Sequence, residues 1–131
     1  MVIVTNPEVS AVRDADRVVG LIEAADKGPA RLIVNRLKPR FVQRGDMLDT
    51  EDVLDILAID LIGIVPEDEN MLISANKGTP AVFEDRSPAG LAFRHIARRL
   101  TGEDVPFQTF REQQNVLGRL SRLFRRDGRS T

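Results

Sequence analysis

The fold follows from the stretch Arg31-Leu32-Ile33-Val34-Asn35-Arg36-Leu37-Lys38-Pro39. Its first half contains three consecutive apolar residues, and the run ends abruptly in polar residues and a proline. A short apolar run without alternation is typical of a strand that is buried on both faces of a parallel sheet. The stretch therefore predicts a buried parallel strand that ends near residue 34.

Asn35 and Arg36 follow this strand at its carboxyl end, where open α/β sheets bind their ligands. An asparagine amide offers one acceptor and two donors in a plane, which is enough to read the edge of a purine base. An arginine guanidinium is a flat cation that can lie against the base. A strand that simply stops at a polar turn would have the same local sequence. A second strand end with related residues favours the ligand site.

The rest of the chain alternates strands and helices on either side of this strand. Asn6-Pro7-Glu8 supplies an N-cap, a proline at the first helical position and an acid in the first turn. We therefore expect a helix from there to about Asp26. The expected inward face of this helix consists of Ala11, Ala15, Val18, Ile22 and Ala25. The predicted fold class is α/β, a three-layer (αβα) half-domain with a parallel sheet. Its other expected strands are residues 1–5 and 59–65, with a loop at 41–48, a short helix ending at residue 57 and an extended segment at 80–83.

The third strand ends in Pro66, Glu67 and Asp68, which would lie beside Asn35 and Arg36 at the same edge of the sheet. Together these five residues predict a flat slot for a nucleotide base. The chain contains no glycine-rich phosphate loop with its lysine. It has no cysteine and one histidine, His95, so neither a metal site nor a catalytic nucleophile is predicted.

The charge is unevenly distributed along the 131 residues. The net charge is −1, yet residues 116–131 contain five arginines and one aspartate, a local charge of +4, which leaves −5 for the rest. At about 100° per residue the apolar residues of this tail lie on one side and the arginines on the other. The pattern predicts an amphipathic helix that lies on an anionic membrane. Its predicted membrane residues are Val116, Leu117, Arg119, Leu120, Arg122, Leu123 and Phe124.

Two other interpretations of the tail agree less well with the sequence. A surface helix that packs on its own domain would show the same apolar stripe, but all charges before Asp127 are positive. A nucleic-acid contact is disfavoured by the acidic body and by the absence of tyrosine and tryptophan for base stacking. A membrane surface, and no nucleic acid, is therefore the expected partner.

With these features assembled, the chain resembles the C-terminal half of the MinD family, the septum-site-determining ATPases of the deviant-Walker-A (ParA/MinD) class. The resemblance covers nearly all of the chain. It rests on several segments in the same order: Thr5-Asn6-Pro7-Glu8-Val9-Ser10, Val12-Arg13-Asp14-Ala15-Asp16-Arg17, Arg44-Gly45-Asp46-Met47-Leu48, Glu51-Asp52-Val53-Leu54 and Gly63-Ile64-Val65-Pro66-Glu67-Asp68.

The resemblance implies roles for individual residues. Asn35, Arg36, Pro66, Glu67 and Asp68 would bind adenine. Residues Arg13, Asp14 and Asp16 would form the dimer and partner interface, where MinC-like and MinE-like proteins bind. The cofactors of the intact family would be ATP and Mg²⁺. The expected location is the cytoplasm, peripheral on the inner face of the plasma membrane, or the corresponding inner envelope and stroma of a plastid.

The family's N-terminal half, with its phosphate loop and magnesium ligands, has no counterpart in this sequence. We therefore expect residues 1–112 to be the C-terminal part of the ATPase domain and residues 113–131 to be the membrane-targeting helix. ATP hydrolysis by this chain alone is not expected. An open hydrophobic sheet edge should make the chain self-associate or leave it marginally stable. The alternative function is a non-catalytic α/β adaptor that binds a membrane and a protein without nucleotide.

Overall fold

The computed structural model describes residues 1–108. Within that range three strands and five α-helices alternate, and the strands pair in parallel in the order β1-β2-β3. This arrangement confirms the predicted α/β class. The strands are β1 (Val2–Thr5), β2 (Arg31–Leu37) and β3 (Asp60–Pro66). The helices are α1 (Val9–Ala24), α2 (Pro39–Gln43), α3 (Thr50–Leu57), α4 (Glu69–Lys77) and α5 (Pro88–Leu100), with a 3-10 turn (Ala81–Phe83) before α5.

Helices cover both faces of the sheet, and β2 contributes to both cores. Leu32 and Val34 are fully buried against α1 and α3. Ile33, which points to the opposite face, packs with the core formed by β3 and α5. Three consecutive apolar residues are therefore used on two faces, which confirms the prediction of a doubly buried strand.

Helix α1 begins later than the sequence suggested, and its buried row differs from the predicted one. Asn6 and Pro7 precede the helix, and Glu8 occupies the N-cap position. Pro7 is buried and its carbonyl accepts a hydrogen bond from the Leu48 amide at 3.2 Å, so this residue belongs to a turn packed on the next loop. The buried α1 residues are Val12, Ala15 and Val19. Of the expected inward face only Ala15 is buried, and Val18 is exposed.

Two segments expected to lack helix are helical. Residues 41–43 belong to α2, because Pro39 supplies a preset helical φ at its first turn and Lys38 is the N-cap. The segment after Pro80, expected to be extended, forms the 3-10 turn. In both cases a short helix begins at or directly after a proline.

Helix α5 runs along β3, and hydrogen bonds connect both ends of the helix to this strand or to the residues just beyond it. At its start the Ala89 amide donates to a carboxylate oxygen of Asp68, just beyond the carboxyl end of β3. At its end the Arg99 guanidinium donates to three carbonyl oxygens, those of Ile62, Val105 and Pro106, at 2.9–3.0 Å. The same guanidinium lies 3.9 Å from the ring centre of Phe107. Arg99 therefore fastens the segment after α5 to the sheet.

The β1 edge of the sheet is open within the described residues. Val2 and Val4 are exposed on the face that α5 leaves uncovered, and the hollow between β1 and α1 is lined by Ala11, Val18 and Ile22. An unpaired apolar strand is a template for pairing with another chain. The expected self-association or marginal stability stays a prediction, which size-exclusion chromatography with light scattering would check.

Two helical glycines should respond to alanine in opposite directions. A Cβ atom at Gly90 in α5 would clash with the backbone carbonyl of Ala81, which cannot move like a flexible side chain. We expect Gly90→Ala to lower the free energy of unfolding by about 1–3 kcal/mol. At Gly20 in α1 no atom lies within 4 Å of the added Cβ. Gly20→Ala should raise stability by about 0.5–1 kcal/mol because alanine favours helix. Urea denaturation measures both, and equal effects would contradict the close approach of α5.

Candidate functional site

The pairing of β2 with β3 contains a bulge near the carboxyl end of β2. Val34 pairs with Ile64 and Leu37 pairs with Pro66, so three steps along β2 match two steps along β3. Arg36 has a φ of 56°, in the left-handed region that non-glycine residues rarely adopt. Such bulges and strained residues often occur beside functional sites. This geometry places Asn35 and Arg36 at the carboxyl edge of the sheet.

Glu67 links the two strand ends. Its amide donates to the Leu37 carbonyl at 2.8 Å, which extends the pairing of β2 and β3 beyond the last strand residues. Its carboxylate lies 3.5 Å from Arg36 Nη2 and 3.5 Å from Lys38 Nζ. All three side chains are partly exposed, so each ion pair contributes about 0–1 kcal/mol. The pairs therefore orient side chains more than they stabilise the fold.

The two strand ends form the walls of one cleft of about 700 Å³. Its lining includes all five residues of the predicted slot, Asn35, Arg36, Pro66, Glu67 and Asp68. The structure thus brings these residues together, while their contact with a base stays a prediction. Clefts of 300–1,000 Å³ are typical of small-ligand sites.

Helix α4 supplies an apolar wall of the cleft that sequence reasoning missed. Met71, Leu72 and Ile73 line the cleft beside Glu69 and Val65. The signal was present as three consecutive apolar residues directly after an acidic turn. The predicted slot included only residues at the two strand ends, so these apolar residues of α4 were not assigned to the site.

The Asp68 carboxylate is fully engaged in capping two helices. One oxygen accepts from the Asn70 amide at 2.9 Å and from Asn70 Nδ2 at 2.8 Å, and the other accepts from Ser87 Oγ at 2.6 Å and the Ala89 amide at 3.2 Å. Four bonds occupy the four lone-pair sites of a carboxylate. Asp68 therefore positions the cleft wall, and its side chain has no free acceptor for a base.

Burial raises the pKa of Asp68, but the hydrogen bonds from Ser87, Asn70 and Ala89 together outweigh it, so the pKa lies below its ordinary value. The bonds stabilise the ionised form, which is the form that accepts four donors. At neutral pH the carboxylate is charged and both caps are intact.

The residues predicted to bind a partner, Arg13, Asp14 and Asp16, are all exposed on α1. None of them lines the cleft. Asp14 pairs with Arg17 at 3.7 Å, one turn away, and both side chains are more than three-quarters exposed. Such a pair is available to a partner at little cost to the fold.

The structure bears on the metal and membrane predictions only within residues 1–108. Residues 1–108 hold no group of three or more histidine, cysteine, aspartate or glutamate side chains arranged for a metal ion. Burial, followed by Arg99, Arg98 and Arg94, lowers the pKa of His95. No helix in the described part is long and apolar enough to cross a membrane. The predicted membrane residues, from Val116 to Phe124, lie outside the described residues.

No protein-family model matches the chain. The septum site-determining protein MinD of Synechocystis sp. is 56% identical over 126 residues, which are 95% of this chain and 47% of that protein. The MinD protein of Escherichia coli (strain K12) is 42% identical over 131 aligned residues, 94% of this chain and 48% of its own. The chain thus spans about half the length of the curated relatives it matches.

The structural comparison agrees. The MinD cell division protein of Aquifex aeolicus superposes with a TM-score of 0.79 at 48% identity, over 82% of this chain and 46% of that one. A MinC:MinD complex from the same organism gives the same score over 45% of the MinD-like chain. A MinD protein of Pyrococcus horikoshii complexed with Mg-ADP scores 0.64 at 25% identity, over 77% of this chain and 40% of that chain. By sequence and by fold, the chain is a homologue of the MinD septum site-determining proteins and fits their C-terminal half.

Proposed function

We propose that this chain supplies the base-binding wall, the partner helix and the membrane tail of a MinD-like ATPase. That ATPase would place the division septum through ATP-dependent dimerisation and reversible membrane binding. The observation that carries the proposal is the convergence of Asn35, Arg36 and residues 66–68 on one cleft. A homologous MinD protein complexed with Mg-ADP supports a nucleotide as the ligand.

The cleft offers what a purine base requires. The half-buried Asn35 amide can pair with both a donor and an acceptor on the base edge. The Pro66 ring is rigid and apolar, and its carbonyl can accept from an exocyclic amine. Met71 and Leu72 provide an apolar surface for the flat face of the base. These groups read a base without contacting its phosphates.

The described residues do not fit a triphosphate or Mg²⁺. Arg36 is the one cation that lines the described cleft, and it is paired with Glu67. Residues 1–108 also lack a cluster of metal ligands. We therefore propose that this chain contributes recognition of the base, while the phosphates and Mg²⁺ are bound by other parts of the ATPase.

Calorimetric titration with ATP and Mg²⁺ tests the nucleotide proposal, on this chain and on any longer version that contains it. We expect Asn35→Ala to weaken binding about tenfold, because a bidentate hydrogen bond is lost. Asn76→Ala, an exposed asparagine of α4 that does not line the cleft, should have no effect. Absence of heat from both versions would contradict the proposal and favour the adaptor without nucleotide.

The exposed residues Arg13, Asp14 and Asp16 form the proposed surface for a partner and for the second subunit of a dimer. The complex of a homologous MinD with MinC supports a MinC-like partner. A MinE-like protein is proposed at the same surface. Mixed charges on an exposed helix provide specificity and a fast association rate.

The tail, residues 113–131, is proposed to hold the protein on the inner face of the plasma membrane. Each arginine near an anionic leaflet contributes about 1 kcal/mol, which gives weak attachment by one tail and stronger attachment by the two tails of a dimer. We expect Leu120→Glu to abolish sedimentation with anionic vesicles, and high salt to weaken it for the parent. Ser121→Glu makes a matched charge change outside the apolar arc and should retain much of the binding. Equal binding of Leu120→Glu and parent would contradict the proposal.

A further inference from the structure

Hydrogen-bond chemistry distinguishes the two purine bases that the cleft could read. The edge of adenine presents an amine donor beside a ring nitrogen that accepts, whereas guanine presents two neighbouring donors, a ring N–H and an amine. An ionised carboxylate accepts hydrogen bonds and donates none. It therefore matches the two donors of guanine and leaves the ring acceptor of adenine without a donor. A free carboxylate at the edge of the base would favour guanine.

Three acids line the cleft, and Asp68 is the one that is partly shielded from water. Glu67 and Glu69 are exposed, whereas Asp68 is half-buried. A hydrogen bond from a base to an exposed carboxylate replaces one from water and adds little affinity. Burial raises the pKa of Asp68, but its hydrogen bonds lower that pKa by more, so the group is ionised at neutral pH. Asp68 is therefore the carboxylate that would read guanine if its oxygens were free.

Donors from two helices occupy the acceptor positions of the Asp68 carboxylate. Two are the backbone amides of Asn70 and Ala89, and two are side-chain groups, Asn70 Nδ2 and Ser87 Oγ. Ser87 Oγ donates to Asp68 at 2.6 Å and accepts from the Gly90 amide at 2.9 Å, so its proton is directed to the carboxylate. Ser87 is 1% exposed and does not line the cleft. It can influence a bound base through Asp68 but cannot contact that base.

We propose that Ser87 determines which purine the cleft accepts, because its hydroxyl keeps the Asp68 carboxylate from accepting hydrogen bonds from guanine. The donors of guanine then meet no free acceptor on Asp68. Adenine needs none there, because the Asn35 amide offers both a donor and an acceptor and the Pro66 carbonyl accepts from the amine. Ser87 is thus a positioning residue that acts on specificity. This inference rests on the proposed binding of a base in the cleft.

Calorimetric titration with ATP and with GTP, each with Mg²⁺, tests the role of Ser87 on this chain and on a longer version that contains it. The readout is the ratio of the two dissociation constants, because ATP and GTP differ only in the base. We expect Ser87→Ala to shift this ratio about fivefold toward GTP, the effect of one hydrogen bond gained by guanine. Ser87→Thr keeps the hydroxyl and should keep the ratio of the parent. A folding defect alone would weaken both nucleotides alike, so an unchanged ratio in Ser87→Ala would overturn the proposal.

Asn70→Ala provides the same test at a less buried position. It removes the Nδ2 donor from the other oxygen of Asp68 and keeps the backbone amide. Asn70 does not line the cleft, so its loss removes no contact with the base. We expect the ratio to shift toward GTP, whereas Asn76→Ala, the matched change on the same helix, should leave it at the value of the parent. If Ser87→Ala does not fold, equal ratios in Asn70→Ala and Asn76→Ala overturn the proposal.

The behaviour of the parent separates this inference from the proposed function. If the parent binds ATP and the variants keep its ratio, the base site stands and the role of Ser87 is refuted. If neither nucleotide binds to either version of the parent, the base site is refuted and this inference with it. A parent that binds ATP more tightly than GTP, with a shift toward GTP in both Ser87→Ala and Asn70→Ala, supports both.

Discussion

Replacing Asp68 by alanine is expected to lower the free energy of unfolding by about 2–4 kcal/mol. The substitution removes four hydrogen bonds and leaves the Ser87 hydroxyl, which is almost fully buried, without its acceptor at 2.6 Å. Unsatisfied buried donors cost about 1–3 kcal/mol each, and the loss of a helix cap costs about 1 kcal/mol. Urea denaturation followed by circular dichroism measures the change.

Glu69→Gln is the control for Asp68→Ala, because Glu69 is the neighbouring exposed acid and caps nothing. It should change stability by about 0.5 kcal/mol or less. If Asp68→Ala lowers the free energy of unfolding by no more than Glu69→Gln does, the two caps do not position the cleft wall.

The Asp68 contribution should also depend on pH. Because the pKa of Asp68 is lower in the folded protein than in the unfolded chain, the stabilisation is complete above the unfolded pKa. It is lost as pH falls below about 4 and passes through the folded pKa. The difference in stability between the parent and Asp68→Asn should therefore shrink with acidification. A difference that stays constant down to pH 2 would contradict an ionised cap.

The second large effect is expected at Arg99. Arg99→Ala removes three hydrogen bonds to carbonyl groups and the contact with Phe107, and we expect the free energy of unfolding to fall by about 2 kcal/mol. The amides of Glu103, Asp104, Val105 and Phe107 should exchange with solvent faster than in the parent, whereas those of β2 should change less. Hydrogen exchange resolved by residue measures this release.

Arg98→Ala serves as the matched control. Arg98 is the adjacent arginine, and its one described ion pair, with Glu103 at 2.9 Å, is half exposed. Loss of this ion pair should lower the free energy of unfolding by about 0.5 kcal/mol or less. Arg99→Lys keeps the charge but cannot reach three carbonyl groups, so we expect it to resemble the alanine variant more than the parent. If Arg98→Ala and Arg99→Ala lower the free energy of unfolding equally, Arg99 does not link the segment after α5 to the sheet.

The parallel sheet was predictable because β2 has a simple signature. A strand that faces a hydrophobic core on both sides has apolar residues at consecutive positions and does not alternate apolar with polar ones. Leu32, Ile33 and Val34 therefore indicate a sheet that is covered on both faces. The row that α1 buries was not predictable in the same way. Alanines and valines lie on adjacent rows of that helix, and the choice between them depends on where β1 and α3 place their side chains.

The cleft was predictable in part. Asn35 lies near the carboxyl end of β2, and residues 66–68 lie at and just beyond the carboxyl end of β3, so their proximity follows from the parallel pairing of these strands. The use of Asp68 as a double cap depends on Ser87, which lies 19 residues further along the chain. Periodicity and turn chemistry are local, so no local pattern reveals a bond of that separation.

The left-handed backbone of Arg36 limits which residues evolution can place there. The Arg36 side chain is 62% exposed, so exposure by itself would suggest wide tolerance. At a φ of 56°, however, valine and isoleucine would be strained, whereas glycine, asparagine and aspartate adopt this conformation readily. Position 36 should therefore vary among a few small or polar residue types across species, although most of its side chain faces solvent.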